Sequence, residues 1–291
     1  MKQILFAILI LIPVIMLSQS LGKERIDRLD KSIVKIMIDG KTAGTGFFVH
    51  KDGWIATCEH VIKSALENTN DNGVINFKKV TAMLRNGEEV NLEFLTYLVN
   101  NVEGAILAKS YDFFLLKSVV LPESEIVPLK LGTWSKANEG DVMYTSGYPL
   151  GIEHRLISQG ILSTKYIEDR NFTITENDSI TIIKKYKRDS AWMDITLNRG
   201  NSGGPVIKLG KTPAEDEVIG IASFILNPYG SITEKIAKDI KAYDKGQRTV
   251  DAGQYRGIGI LSEAISNNSI GVSGVISIDY LSELLRRLNL L

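Results

Sequence analysis

Short runs of β-branched and aromatic residues, broken at close intervals by turn formers, fill the chain from Ser32 to Phe224. This spacing leaves room for antiparallel hairpins but little for the crossover helices that a parallel sheet requires. Residues 32–38 read as a strand closed by Asp39-Gly40. Residues 46–49 and 54–57 flank Lys51-Asp52-Gly53, and residues 80–84 and 90–95 flank Asn86-Gly87. Both are hairpin signals, because Asp-Gly and Asn-Gly tolerate positive φ. Residues 113–117 form a compact apolar strand, and a polar stretch, 121–125, follows. A second series covers 142–145, 159–163, 180–186, 191–195, 205–208 and 218–224. The pattern predicts an all-β chain in two small domains, each a sandwich or a barrel.

Helical patterns come late. Ser231 and Glu234 form a capping box, Ile232, Ile236 and Ile240 follow at four-residue spacing, and Gly246 stops the run. This predicts a helical insertion at 231–245, within a segment, 227–257, that begins just after the strand expected at 218–224. Near the end, Ser277 is an expected N-cap. Ile278, Leu281, Leu284, Leu285 and Leu288 then share one face, predicting a helix over 278–290.

The N-terminus has a different character. Lys2 precedes an uncharged, mostly aliphatic run, residues 4–17, and Ser18-Gln19-Ser20 supplies the small-x-small pattern of a signal-peptidase site. Residues 1–20 are therefore expected to be a signal peptide. The run is short of the roughly twenty apolar residues a spanning helix needs, so no stable membrane span is expected after cleavage; the alternative is an uncleaved anchor. Either way the chain is exported. A single cysteine, Cys58, precludes an internal disulfide. Export without disulfides suits the bacterial periplasm or secretion from a bacterium. Lys plus Arg number 34 and Asp plus Glu number 34. That balance argues against a nucleic-acid partner held by bulk electrostatics. Three histidines and one cysteine are a poor supply of zinc ligands.

The most informative segment is Gly200-Asn201-Ser202-Gly203-Gly204-Pro205, a serine among glycines just ahead of a predicted strand. Successive free N–H groups in such a turn can converge on one point, as an oxyanion hole requires; an ordinary glycine-rich hairpin has the same composition. A serine nucleophile needs a base, and the base an orienting acid. His50 adjoins a turn and His154 a loop, whereas His60 lies at a strand end entering a short helical turn. His60 is thus the best-placed base, and Asp112, leading the strand at 113–117, is the candidate acid. Gly200-x-Ser202-x-Gly204 also matches the nucleophile elbow of α/β-hydrolases. That fold places its histidine after the serine, and no histidine follows Ser202. The order His60, Asp112, Ser202 is the one used by chymotrypsin-like barrels.

At these residues the sequence resembles the chymotrypsin-fold serine proteases, nearest the bacterial high-temperature-requirement (Deg-type) branch. The resemblance runs from about Ile33 to Ser223. It is carried by residues 44–49, 57–62 and 112–117, by Gly147-Tyr148-Pro149-Leu150-Gly151, by residues 160–163 and by 194–205. It implies two six-stranded antiparallel β-barrels with a C-terminal helix. The first, residues 21–125, would carry His60 and Asp112; the second, residues 126–291, would carry Ser202. It implies a serine endopeptidase that acts on polypeptides through an acyl-enzyme, with no cofactor and no metal. The backbone N–H groups of Gly200 and Ser202 would form the oxyanion hole. Thr196, Leu197, Ser223, Phe224 and Ile225 would border the substrate, Ser223 also supporting the aspartate. Phe114, Arg199, Ile225 and Cys58-Glu59 depart from the branch's usual residues, and its C-terminal PDZ modules are not expected here. A homo-oligomer is compatible with the family. The alternative is a catalytically weak protease-fold protein that binds peptides.

Overall fold

The computed structural model describes residues 21–66, 77–176, 180–225 and 271–291. The expected signal peptide and the expected helical insertion at 231–245 lie outside them. The strands close into two antiparallel barrels of six strands each. In the first, β1 (Ile33–Ile38), β2 (Lys41–His50), β3 (Trp54–Thr57), β4 (Val80–Met83), β5 (Glu89–Phe94) and β6 (Phe114–Ser118) are joined in the order β1-β2-β3-β6-β5-β4. In the second, β7 (Val142–Gly147), β8 (Leu156–Glu176), β9 (Ile180–Asp194), β10 (Pro205–Lys208), β11 (Glu217–Ile225) and β12 (Val272–Ser277) follow the order β10-β11-β12-β9-β8-β7. Closure satisfies the backbone groups that an open sheet would leave at its edges.

The core of the first barrel is built from the alternating residues of the hairpins. Ile33, Ile36, Phe47, Ile55 and Leu115 are fully buried, and each contributes roughly 1.5–3 kcal/mol of transfer free energy. All of Phe113, Phe114, Leu115 and Leu116 are buried, because β6 is covered on both faces. The second barrel has its own cluster around Trp134, Met143, Leu162, Met193, Val206 and Val275.

Among the described residues, five α-helices decorate the barrels: α1 (Gly22–Ser32), α2 (Glu59–Leu66), α3 (Thr96–Asn100), α4 (Val102–Tyr111) and α5 (Asp279–Arg287). Several elements differ from expectation. α1, α3, α4 and β12 have no counterpart in the sequence reading. Residues 180–186 and 191–195, expected as separate strands, are one strand, β9, because the polar run between them pairs without a break along β8. The C-terminal helix begins later than its apolar pattern. Ile278 occupies the cap position without a side-chain bond, while the Ser277 hydroxyl accepts from the Asp279 amide at 3.1 Å.

Several contacts fix the barrels to each other. Arg25 of α1 forks onto Asp216, just ahead of β11, with Nε at 2.6 Å from Oδ2 and Nη2 at 3.1 Å from Oδ1. Asp216 also accepts from the Tyr144 hydroxyl at 2.9 Å and the Gly210 amide at 2.7 Å, so this buried carboxylate is fully satisfied. Tyr111, the last residue of α4, stacks on Tyr280 of α5 with ring centroids 3.8 Å apart.

Candidate active site

Asp112 terminates α4 in the left-handed conformation (φ 50°, ψ 45°), its N–H donating to the Ala108 carbonyl. Aspartate tolerates this region better than most residues. The turn sends the chain into β6 and leaves the carboxylate facing the start of α2, where His60 is the second residue. Asp112 Oδ1 accepts from the His60 backbone amide at 3.2 Å, satisfying one of the N–H groups that a helix start leaves open. Both carboxylate oxygens lie 2.9 Å from His60 Nδ1. An ionised carboxylate only accepts, so Nδ1 carries the proton and Nε2 keeps its lone pair. Ser223 donates its hydroxyl to Asp112 Oδ2 from the far side.

The charges reinforce one another. Burial pushes His60 down, but the hydrogen bond and charge of Asp112 outweigh it, leaving the imidazole above its ordinary value of 6.5. Burial pushes Asp112 up, and the bonds from His60 and Ser223 more than reverse this, holding the carboxyl below its ordinary value. Glu59, buried beside them, is raised by desolvation and by the charge of Asp112. Cys58 is fully buried, and its thiol is 3.4 Å from the Ala222 carbonyl oxygen. Burial pushes that thiol well up, so it stays protonated. Ligand atoms of Cys58, His60 and Asp112 lie within 4.8 Å of one another. A protonated thiol and a carboxylate already occupied by three donors make a poor metal donor set.

The loop carrying Ser202 is clamped at alternate peptides. In the Gly200–Asn201 peptide, the carbonyl accepts from Thr45 Oγ1 at 2.6 Å and the N–H donates to the Asn198 carbonyl at 3.0 Å. In the Ser202–Gly203 peptide, the carbonyl accepts from the Thr45 amide at 2.9 Å and the N–H donates to the Ala222 carbonyl at 2.8 Å. The intervening peptide carries the Ser202 amide and the preceding one the Gly200 amide, and among the described residues neither donates a hydrogen bond. Two donors beside a serine hydroxyl are what an oxyanion needs. Glycine is required for this path: Gly200 and Gly203 have φ of 101° and 86°, and a Cβ on Gly203 would lie 2.2 Å from the Thr45 carbonyl oxygen.

Thr45 is the contact residue of this loop to which sequence reasoning gave no role. Its hydroxyl donates to Gly200 and accepts from the Tyr148 amide at 3.0 Å, so one β2 side chain of the first barrel joins two loops of the second. The available signal was its position between two glycines: a Cβ on Gly44 would meet the Ser202 carbonyl oxygen at 2.9 Å.

The Ser202 hydroxyl is half-buried and points to the Ser223 carbonyl at 3.4 Å; among the described residues it makes no hydrogen bond to His60. The other expected substrate-binding residues divide. Thr196 is exposed at the surface of the second barrel. Leu197 is 2% exposed and packs in that barrel's core. It therefore offers no apolar surface to a substrate, because the alternation after β9 turns it inward. Phe224 and Ile225 are placed by their backbone in β11, facing Gly274 and Ser273 of β12.

The sequence pattern of the family described as "Trypsin-like peptidase domain" matches residues 44–221. The "Probable periplasmic serine endoprotease DegP-like" of Halomonas elongata is 28% identical over 230 residues, covering 78% of this chain and 39% of that protein. The human "Serine protease HTRA4" is 25% identical over 210 residues, covering 68% and 36%. The chain thus spans less than half the length of these relatives. Among solved structures, "HtrA-type protease AlgW with decapeptide" superposes with a TM-score of 0.54 at 16% identity, covering 91% of this chain and 66% of that one. At that identity the likeness is one of fold.

Proposed function

The chain belongs to the trypsin-like peptidase domain family, and from that premise we propose that it is an exported serine endopeptidase working through an acyl-enzyme. Ser202 is the nucleophile, His60 the general base and then acid, and Asp112 the group that holds His60 in the Nδ1–H tautomer. The observation that carries this reading is the His60–Asp112 pair, with both oxygens at 2.9 Å, supported by Ser223, which donates to Asp112 and whose carbonyl lies 3.4 Å from the Ser202 hydroxyl. His60 Nε2 takes the Ser202 proton as Oγ attacks the scissile carbonyl. The two amides hold the tetrahedral oxyanion. His60 then protonates the leaving amine, and water repeats the sequence. Asp112 stays ionised and stabilises the imidazolium.

A fluorophosphonate probe tests the nucleophile directly. Labelling at Ser202 that disappears in Ser202→Ala is expected, together with a loss of peptidase turnover of at least about 10⁴-fold. Wild-type turnover in Ser202→Ala would refute the assignment. One observation favours the second reading, a protease-fold peptide binder. It is the 3.4 Å approach of the Ser202 hydroxyl to the Ser223 carbonyl in place of His60. That reading predicts peptide affinity without labelling. Export rests on the composition of residues 1–20 and on the periplasmic naming of relatives such as the Halomonas protein. Cell fractionation with N-terminal sequencing tests it, a start at Leu21 being the expected result.

A further inference from the structure

A cleft of about 580 Å³ opens beside His60, between α2 and α4 of the first barrel and the β8–β9 ribbon of the second. Its charged groups come from every wall: Glu59 and Lys63 from α2, Lys109 from α4, Asp112, and Glu168, Arg170 and Arg188 from the ribbon. The acids are already engaged. Asp112 holds His60, and Glu168 accepts from Arg188 at 2.5 Å and from Arg170 at 3.1 Å, one carboxylate between two guanidinium groups. Glu59 is buried, and its nearest opposing charges include Lys109 and Lys63.

Two cations are left with donors to spare. Arg170, with a side chain 37% exposed, commits only Nη1 to Glu168, and among the described residues its other N–H groups find no acceptor. Lys109 is exposed and makes no hydrogen bond or ion pair among the described residues. They face the cleft from opposite barrels, over a base of Tyr166 and Trp192, whose rings stack with centroids 6.0 Å apart.

A substrate can reach this place. β10 leaves β11 at Ile221, while β11 runs on to Ile225 beside β12. Among the described residues, the other edge of β11 from Ser223 onward has no strand partner, so an extended peptide can add there. Ser223 also lines the cleft. Resting on the protease reading, we infer that this cleft is a subsite selecting an acidic side chain, Asp or Glu, in the substrate segment that runs along Ser223, with Arg170 and Lys109 as the specificity-determining residues.

The test uses quenched fluorescent peptides, acetylated and amidated so that no chain-end carboxylate competes. Glu and Gln are exchanged at each of about four positions on either side of the cleaved bond, the reach of an extended chain across the cleft. One position is expected at which Glu exceeds Gln by about tenfold in kcat/KM, a charge-assisted hydrogen bond's worth. That preference shrinks as added salt shortens the screening length to a few ångströms. Arg170→Gln and Lys109→Gln should each lower the ratio, and Arg170→Glu should turn the same position toward Lys. The ratio is internal to each preparation, so loss of folded protein cannot imitate the result. A ratio near one at every position, in protein whose Ser202 labels with fluorophosphonate, overturns the subsite and leaves the protease reading standing. Absence of both labelling and cleavage overturns both.

Discussion

The His60 imidazole is held above 6.5 because the Asp112 bond and charge exceed the burial that opposes them. In the proposed mechanism His60 must be neutral to accept the Ser202 proton, so kcat/KM should fall on the acid side with a midpoint above 6.5. In Asp112→Asn the raising partner is gone; any residual activity should show its acid limb shifted downward, with kcat reduced on the order of 10⁴-fold. A pH–rate profile of both proteins checks this, and an unmoved limb would mean that the pair does not govern the base. The same shifts bear on stability. The share from His60 is present below its unfolded value and lost as pH rises through its raised folded value. The share from Asp112 is present above its unfolded value and lost as pH falls through its lowered folded value.

Thr45 offers a second prediction at this scale. Thr45→Val keeps the shape and removes the hydroxyl that bridges Gly200 and Tyr148. The two groups left unpaired should cost about 1–3 kcal/mol of stability. More diagnostically, kcat should drop by about tenfold or more with KM little changed, because the Gly200 amide is no longer held in place for the oxyanion. Thr45→Ser restores the hydroxyl and should recover most of kcat. A fall in Tm with normal kcat would make Thr45 structural only.

Among the elements, α4 matters because it ends at Asp112, the carboxylate proposed to orient His60. Asn101 caps its start, the side chain accepting from the Gly104 amide at 3.0 Å. Asn101→Ala should destabilise by about 1 kcal/mol. If α4 positions Asp112, the variant should also show faster amide exchange through residues 102–112, readable by hydrogen-exchange mass spectrometry, whereas exchange in β12 should not change. The sequence hid this helix for a physical reason. Ala105, Ile106, Leu107 and Ala108 are consecutive, so its apolar residues fall on all sides and no 3.6-residue period stands out. The β8–β9 ribbon was misread for the opposite reason. The polar residues 187–190 offer no apolar alternation, and the strand continues through them by backbone pairing with residues 166–169 of β8.

For the whole molecule, the Arg25–Asp216 pair is the contact to break. It is buried, bidentate and links α1 to the second barrel across 191 positions of sequence. Asp216→Asn leaves a buried guanidinium without its counter-charge and should cost about 3–5 kcal/mol, a Tm drop on the order of 10 °C. Arg25→Met combined with Asp216→Leu should recover much of that loss, since an apolar pair carries no desolvation penalty. Thermal melts of the wild type, Arg25→Met, Asp216→Leu and the double variant close the cycle; additive losses would mean that the two residues do not act as a pair.

Local chemistry made much of this protein legible in advance. The Asp-Gly and Asn-Gly turns with alternating flanks marked the hairpins of the first barrel, and the glycine-bounded Ser202 marked a loop of unusual backbone path, because these features act over a few residues. The order His60, Asp112, Ser202 then narrowed the fold, since each serine-hydrolase architecture brings its groups together from a different sequence. What only the tertiary structure decided is what depends on contacts between distant segments. Asp112 meets His60 across 52 positions because a left-handed residue ends a helix that had no visible period. Leu197 turns into the core rather than toward a substrate. Thr45 clamps a loop 155 positions away. Burial and alternation are written residue by residue, but which buried faces meet is settled only when barrel closure puts two loops in the same place.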